Sequence, residues 1–315
     1  MSNQNLKEID VDLIDRNPEN PRIIFRPEEM SSLMASIRKH GVQVPISVYR
    51  QGKRYILIDG ERRWRSSIKL NKKTIPALIQ DAPDALTNLL LMFNIHALRE
   101  QWDLLTIATK LPMVIGLLVE RLAKQPTERE ISEETGLNFA VIRRCKLLME
   151  LPDRHKETIL KELQKPKSHQ QLTEDFFIEM ERALKTVENN MPSVVSEFGK
   201  EKIRDSLISK YKNGTINNRV DFRQIAKIAR ADKVGADIPA ATQSLVRLFT
   251  KNNDYSIADA FSASVGFAYE ERDLLTTVST ISKQMSLFDR DSLDSETVGA
   301  LILLRGEIDR LLEQR

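Results

Sequence analysis

Two segments of this chain carry residue types at spacings that could do chemistry. The first is Asp59-Gly60-Glu61-Arg62-Arg63-Trp64-Arg65. A glycine between the end of a strand and the start of a helix lets backbone N–H groups approach an anion with no Cβ in the way. The helix N-terminus adds partial positive charge, and two adjacent arginines can fork onto phosphate oxygens, which lysine's point charge does less selectively. Between Glu61 and Lys73 six basic residues stand against one acid. Together these suit a triphosphate cradle in a chain with no GxxxxGK[ST] loop. The plain alternative is a basic helix start, and these residues alone leave both open.

The second segment runs from Pro126 to Arg144. Thr127 with Glu130 forms a capping box that opens one helix, Gly136 makes a tight turn, and Asn138 caps a second helix. Ile131 faces inward, and Val141, Ile142, Leu147 and Leu148 anchor the second helix to a core. This is the pattern of a helix-turn-helix at about 127–149, whose second helix enters the major groove of double-stranded DNA. Asn138, Phe139, Ala140, Arg143, Arg144 and Lys146 are the residues expected to face DNA; an interaction-only helical hairpin is the alternative.

The elements that must position these segments follow from periodicity. Ile9 to Ile14 reads as a short strand, and Asp15 to Arg22, with Pro18 and Pro21, as a loop. Pro27-Glu28-Glu29 opens a helix that Gly41 stops. Ile46–Tyr49 and Tyr55–Ile58 form a hairpin, and Ile75 to Ile79 returns as a strand. From Ala85 onward helices are expected throughout: Leu86–Leu98, Trp102–Leu122 with a break or kink at Pro112, and several amphipathic segments after Lys165-Pro166-Lys167. The last, Glu296 to Glu313, places Val298, Leu301, Ile302, Ile308, Leu311 and Leu312 near one face, for core packing or self-association. The expected organisation is an α+β domain over 1–84, a helical DNA-binding domain over 85–165 and an all-α region over 166–315, the last open to dimerisation or partner binding.

Composition bounds the rest. With 315 residues, 41% hydrophobic and 30% charged, the chain reads as a folded protein of two or three domains. No apolar stretch approaches the roughly 20 residues of a membrane span, and a polar start with one cysteine, Cys145, suggests a reducing cytoplasm. His40, His96, His155 and His169 have no paired zinc spacing, and no catalytic residue can be named.

The order Asn17-Pro-Glu-Asn-Pro21-Arg22, Ser36-Ile-Arg-Lys-His-Gly41, Pro45-Ile46 and Gly60-Glu-Arg-Arg63-Trp-Arg65 resembles the N-terminal domain of the ParB family, with motif order and spacing kept over about residues 9–80. The resemblance implies a ParB/sulfiredoxin-like fold that binds CTP with magnesium. Gly60, Glu61, Arg62 and Arg63 would line the phosphates, Gly41, Val42, Gln43 and Pro45 would approach the base, and Arg22 would lie near the phosphate end. Sulfiredoxin chemistry needs a cysteine in the equivalent turn, where this chain has Glu61 and Arg62. The family's third motif, Glu-Asn-x-Gln-Arg, is here Phe93-Asn94-Ile95-His96-Ala97-Leu98-Arg99: Asn94 is kept as a magnesium-side ligand, Phe93 replaces the Glu, and the Arg stands about two residues late. Phenylalanine offers a hard cation no oxygen, so a weak CTPase and a binder without hydrolysis both stay open.

The resemblance further implies a homodimer clamped on DNA, acting in plasmid or chromosome partition with a ParA-type ATPase and associated with nucleoid or plasmid. Two other readings remain: a transcription regulator whose ParB-like scaffold has no working nucleotide site, and a superfamily nuclease.

Overall fold

The computed structural model describes residues 5–18, 20, 25, 27–93, 102–250, 254–289 and 292–313. Two compact units result, Met1–Arg182 and Ala183–Arg315.

The first unit begins with β1 (Asn5–Asp10), a 3-10 turn over Val11–Leu13 and β2 (Ile14–Asp15). The strand expected at Ile9–Ile14 is thus split. Asp10 ends it, because its carboxylate accepts the Asp12 N–H at 3.0 Å and caps the turn in the manner of an Asx motif. There follow α1 (Pro27–His40), β3 (Ile46–Gln51), β4 (Arg54–Asp59), α2 (Glu61–Lys69) and β5 (Thr74–Gln80). The strands make one mixed sheet in the order β1-β5-β3-β4-β2. β3 and β4 are the antiparallel hairpin that the alternation predicts, and β3 runs parallel to β5 with Ile46 opposite Ala77. Ile9, Val11, Ile14, Ile46, Val48, Leu57, Ile75 and Ala77 form the buried core, with Trp64 of α2 packed on it. At roughly 1.5–3 kcal/mol for each large side chain removed from water, this sheet-face cluster is the main fixture holding α2 in place.

Beyond β5 the described residues are helical or irregular: α3 (Ala85–Met92), α4 (Leu104–Leu122), α5 (Glu128–Thr135), α6 (Phe139–Met149), α7 (Asp153–Leu163) and α8 (Glu174–Asn190). An α+β domain followed by helices is therefore the fold class, as the sequence indicates. Of the break or kink expected at Pro112, the break does not occur. α4 passes through it, giving up one hydrogen bond while Leu111 and Val114 on either side are fully buried.

The second unit contains α9 (Pro192–Phe198), α10 (Lys200–Lys212), α11 (Phe222–Ile228), α12 (Ile238–Phe249), α13 (Ile257–Ser262), α14 (Gly266–Met285) and α15 (Ser295–Glu313). Ile203, Leu207, Phe222, Ile225, Leu245, Leu248 and Ile257 are buried within it. The expected amphipathic helix at the chain's end exists, but none of its described residues is buried, so core packing is not its role in this structure.

Candidate nucleotide turn and DNA-binding helices

Gly60 takes φ +98 and ψ 22, the left-handed region, as it passes the chain from β4 into α2. A Cβ there would stand 2.5 Å from Ile46 Cγ2, so both the dihedral and the space demand glycine. No side chain caps α2. The N–H groups of its first turn, which have no intrahelical acceptor, are the donors a phosphate could use.

The side chains around this turn do different jobs. Arg63 is half-spent on structure: Nη1 donates to the carbonyls of Val44 (2.6 Å) and Pro45 (2.8 Å), and Nη2 meets Asp59 Oδ2 at 3.0 Å. It thereby fastens the Gly41–Pro45 loop to the glycine turn. Gly41 itself takes φ +73 and closes α1 with its N–H on the Ile37 carbonyl at 3.0 Å. Val42 packs on the sheet core, and Gln43 donates its amide to the His40 carbonyl. Arg62 reaches the first turn of α1, to Glu29 O at 3.2 Å and Glu29 Oε2 at 3.4 Å, with 29% of its side chain exposed. Glu61 points inward. Its carboxylate accepts from Asn20 Nδ2 at 2.5 Å and from Arg65 Nε at 2.8 Å, and pairs with Arg16 at 3.3 Å. Trp64 donates Nε1 to the Val11 carbonyl at 3.2 Å.

The structure thus brings Gly60, Arg62, Arg63 and the Gly41–Pro45 loop together, and assigns Glu61 to holding the turn from behind. Arg22, Asn94 and Arg99 lie outside the described residues. Phe93 is fully buried, its ring edge-on to Trp102 at 5.4 Å, which makes it a core residue. A groove of about 530 Å³ runs between α1 and α2, floored by Met30, Met34 and Trp64 and edged by Arg16, Arg65 and Lys69. None of the described residues expected at the nucleotide lines it. Arg65 stacks over the Phe25 ring there at 4.1 Å.

α5 and α6 have the geometry that the sequence indicates. The Thr127/Glu130 capping box is closed, Gly136 takes φ +73, and Asn138 Oδ1 accepts the Val141 N–H at 2.9 Å. Within the turn Ser132 Oγ donates to the Leu137 carbonyl at 2.6 Å. Ile131, Ile142, Cys145 and Leu148 are buried, and α4 packs across α6. Burial pushes the Cys145 thiol up to about 12, which fits a packing residue.

Asn138, Phe139, Ala140 and Arg143 are exposed on the first turns of α6, and Arg144 and Lys146 are partly so. The basic side chains carry ion pairs that sequence reasoning missed. Glu128 binds both Arg143 Nε (2.9 Å) and Lys146 Nζ (3.1 Å), and these two cations hold its carboxyl below the usual range. Arg144 pairs with Asp175 at the start of α8. Glu174 beside it is partly buried, accepts the Leu105 N–H at 2.6 Å, and is pushed up to about 7 by desolvation. These partners lie 15 to 69 residues away, beyond any periodic signal. Asp59 with Arg63, Glu61 with Arg65 and Arg129 with Glu133, each at an i,i+4 spacing, could have been paired from the sequence.

Among the described residues no helix is long and apolar enough to cross a membrane, and no group of three or more His, Cys, Asp or Glu could hold a metal.

Residues 1–94 match the family model of the ParB N-terminal domain. A chromosome-partitioning ParB protein of Pseudomonas putida is 32% identical over 152 residues, which cover 47% of this chain and 49% of that protein. The transcriptional repressor protein KorB of Escherichia coli is 35% identical over 159 residues, 47% of this chain and 40% of that one. A crystal structure of C-terminally truncated ParB from Caulobacter crescentus, complexed with CTP-gamma-S, aligns at 25% identity and a TM-score of 0.29 over 56% of this chain and 92% of that chain. The chain spans about half the length of the curated relatives it matches. Residues 1–94 thus match the ParB N-terminal domain family, and about half of the chain is similar to ParB proteins.

Proposed function

We propose that this protein binds double-stranded DNA through α5 and α6, binds CTP with magnesium at the Gly60 turn, and acts as a nucleotide-controlled homodimeric clamp in DNA partition. The observation that carries the nucleotide reading is the Gly60 turn: a left-handed glycine with no room for a Cβ, opening an uncapped helix beside two arginines. Phosphate would sit on the first N–H groups of α2, with Arg62 turning from Glu29 to fork onto it. Arg63 would act indirectly, keeping the Gly41–Pro45 loop at the base end. The wider setting, with a ParA-type ATPase as partner and a nucleoid- or plasmid-associated place in the cytoplasm, follows from the family likeness. The working domain division is 1–84, 85–165 and 166–315.

A specific observation favours a second reading. Phe93 is sealed in the core where the family motif has a carboxylate, so the metal side of the pocket lacks that oxygen ligand. This supports a DNA-binding regulator on a ParB scaffold with no working nucleotide site. Calorimetry with CTP, ATP, GTP and UTP in magnesium separates the two. Selective CTP binding that Arg62→Ala abolishes supports the clamp; no binding of any of the four, with or without DNA, leaves the regulator.

A further inference from the structure

Of the six side chains expected to face DNA on α6, the four polar ones are already engaged within the protein. Asn138 Oδ1 accepts the Val141 N–H at 2.9 Å, so reading adenine with both ends of the amide would cost α6 its cap. Arg143 and Lys146 share the Glu128 carboxylate, and Arg144 pairs with Asp175. Forking onto a guanine would first break one of these ion pairs. The two side chains that remain, Phe139 and Ala140, are exposed and apolar.

Phe139 is 46% exposed, the one exposed phenylalanine among the described residues of the first unit. A single exposed apolar side chain is ordinary, so its place is what matters. It is the first residue of α6, and a recognition helix meets base edges with its N-terminal residues. Arg143 and Lys146 stand at i+4 and i+7 from it, on the same stripe of the helix. At 1.5 Å of rise per residue, about 10 Å of helix separates the ring from the farther cation. An apolar tip is thus followed by positive charge, as a helix needs when its end touches bases and its flank touches phosphates. In the major groove the apolar group that a base presents is the C5-methyl of thymine. Against the hydrogen-bonding atoms of the other bases the ring would exclude water and return no bond.

We infer that Phe139 is a specificity-determining residue, whose ring reads the 5-methyl group of a thymine in the major groove. The inference rests on the helix-turn-helix reading of α5 and α6 and adds to it the base that is read. A protein partner would also cover an exposed ring. DNA is favoured because two cations share the stripe with Phe139 and because Ala140 beside it is small enough to let the helix end approach a base pair closely.

The test takes the full chain and a duplex that it selects from a random-sequence pool. Each thymine of that duplex is replaced in turn by deoxyuridine, which removes the methyl and keeps the base pair. For the wild type one such replacement should weaken binding about four-fold, the worth of one methyl-sized group taken from water. Phe139→Ala should bind the thymine and uracil duplexes equally, and Phe139→Leu, which keeps an apolar tip, should retain part of the preference. Arg143→Ala should weaken both duplexes by the same factor and leave their ratio alone. Equal binding of thymine and uracil by the wild type at every position overturns the proposal. A ratio that survives Phe139→Ala also overturns it and hands the ring to a protein contact. A chain that selects no sequence at all overturns the helix-turn-helix reading and this one together, so the two failures are distinguishable.

Discussion

Asn20 Nδ2 donates to Glu61 Oε2 across 2.5 Å, joining the loop after β2 to the first residue of α2, 41 residues later. Both residues are buried, and the same carboxylate also receives Arg16 and Arg65. Removing the acceptor would take a buried hydrogen bond from Asn20 and leave two guanidiniums without their shared partner. Glu61→Ala should therefore cost about 2–4 kcal/mol in urea unfolding. Glu61→Gln keeps an acceptor for Asn20 and should cost less than half as much. Equal losses from the two variants would show that the charge, and not the Asn20 bond, matters.

Gly60→Ala meets two penalties at once. The residue must hold φ +98, and the new methyl falls 2.5 Å from Ile46 Cγ2 in the fully buried start of β3. A loss of about 2–4 kcal/mol is expected from denaturant midpoints, of which the larger share is the clash. Gly41→Ala is the control. It shares the positive φ, but nothing lies within 4 Å of its Cβ. Its cost should stay near 1 kcal/mol.

What the sequence made legible here is what local chemistry determines. The capping box of α5, the αL glycines at 41, 60 and 136 and the β3–β4 hairpin depend on residues within a few positions of each other. The split of the first strand was decided by a competing local bond at Asp10, and the continuity of α4 through Pro112 goes with the burial of Leu111 and Val114 on either side. The role of Glu61 was not readable, because its partners Arg16 and Asn20 come from the other side of the sheet's first crossover. In the same way, the cations of α6 looked free until α5 and α8 brought Glu128 and Asp175 to them. The amphipathic face of α15 was legible from periodicity, which gave no sign that the helix would bury none of its described residues.

Glu128 occupies two of the cations expected to meet DNA. A phosphate approaching Arg143 or Lys146 must displace its carboxylate, so the acid acts as a built-in competitor. Glu128→Gln should tighten DNA binding several-fold and steepen the salt dependence by about 1–2, one step per cation released to phosphate. Glu133→Gln, whose partner Arg129 lies on α5 one turn away, should leave both quantities near wild type. Equivalent effects from the two variants would reduce the Glu128 result to net charge. Anisotropy at a series of salt concentrations gives both readings.

Glu174 makes stability depend on pH in the direction opposite to most carboxylates. Burial lifts its pKa from an ordinary 4.5 to about 7, despite the Leu105 N–H and the nearby Arg144, and the negative charges of Asp103 and Asp175 add to the rise. The folded state therefore holds a proton that the unfolded chain releases between these two values. Across that window stability falls as pH rises, and above about pH 7 the folded state carries a partly desolvated, ionised carboxylate. A shift of this size corresponds to roughly 3 kcal/mol between pH 4.5 and pH 7. Glu174→Gln keeps an oxygen for the Leu105 N–H and has nothing to ionise. Urea midpoints measured from pH 5 to 8 should thus decline less steeply in the variant, which should be the more stable protein at pH 8. Parallel pH profiles would mean that Glu174 ionises in the fold as it does in water, with water reaching the junction of α4, α6 and α8.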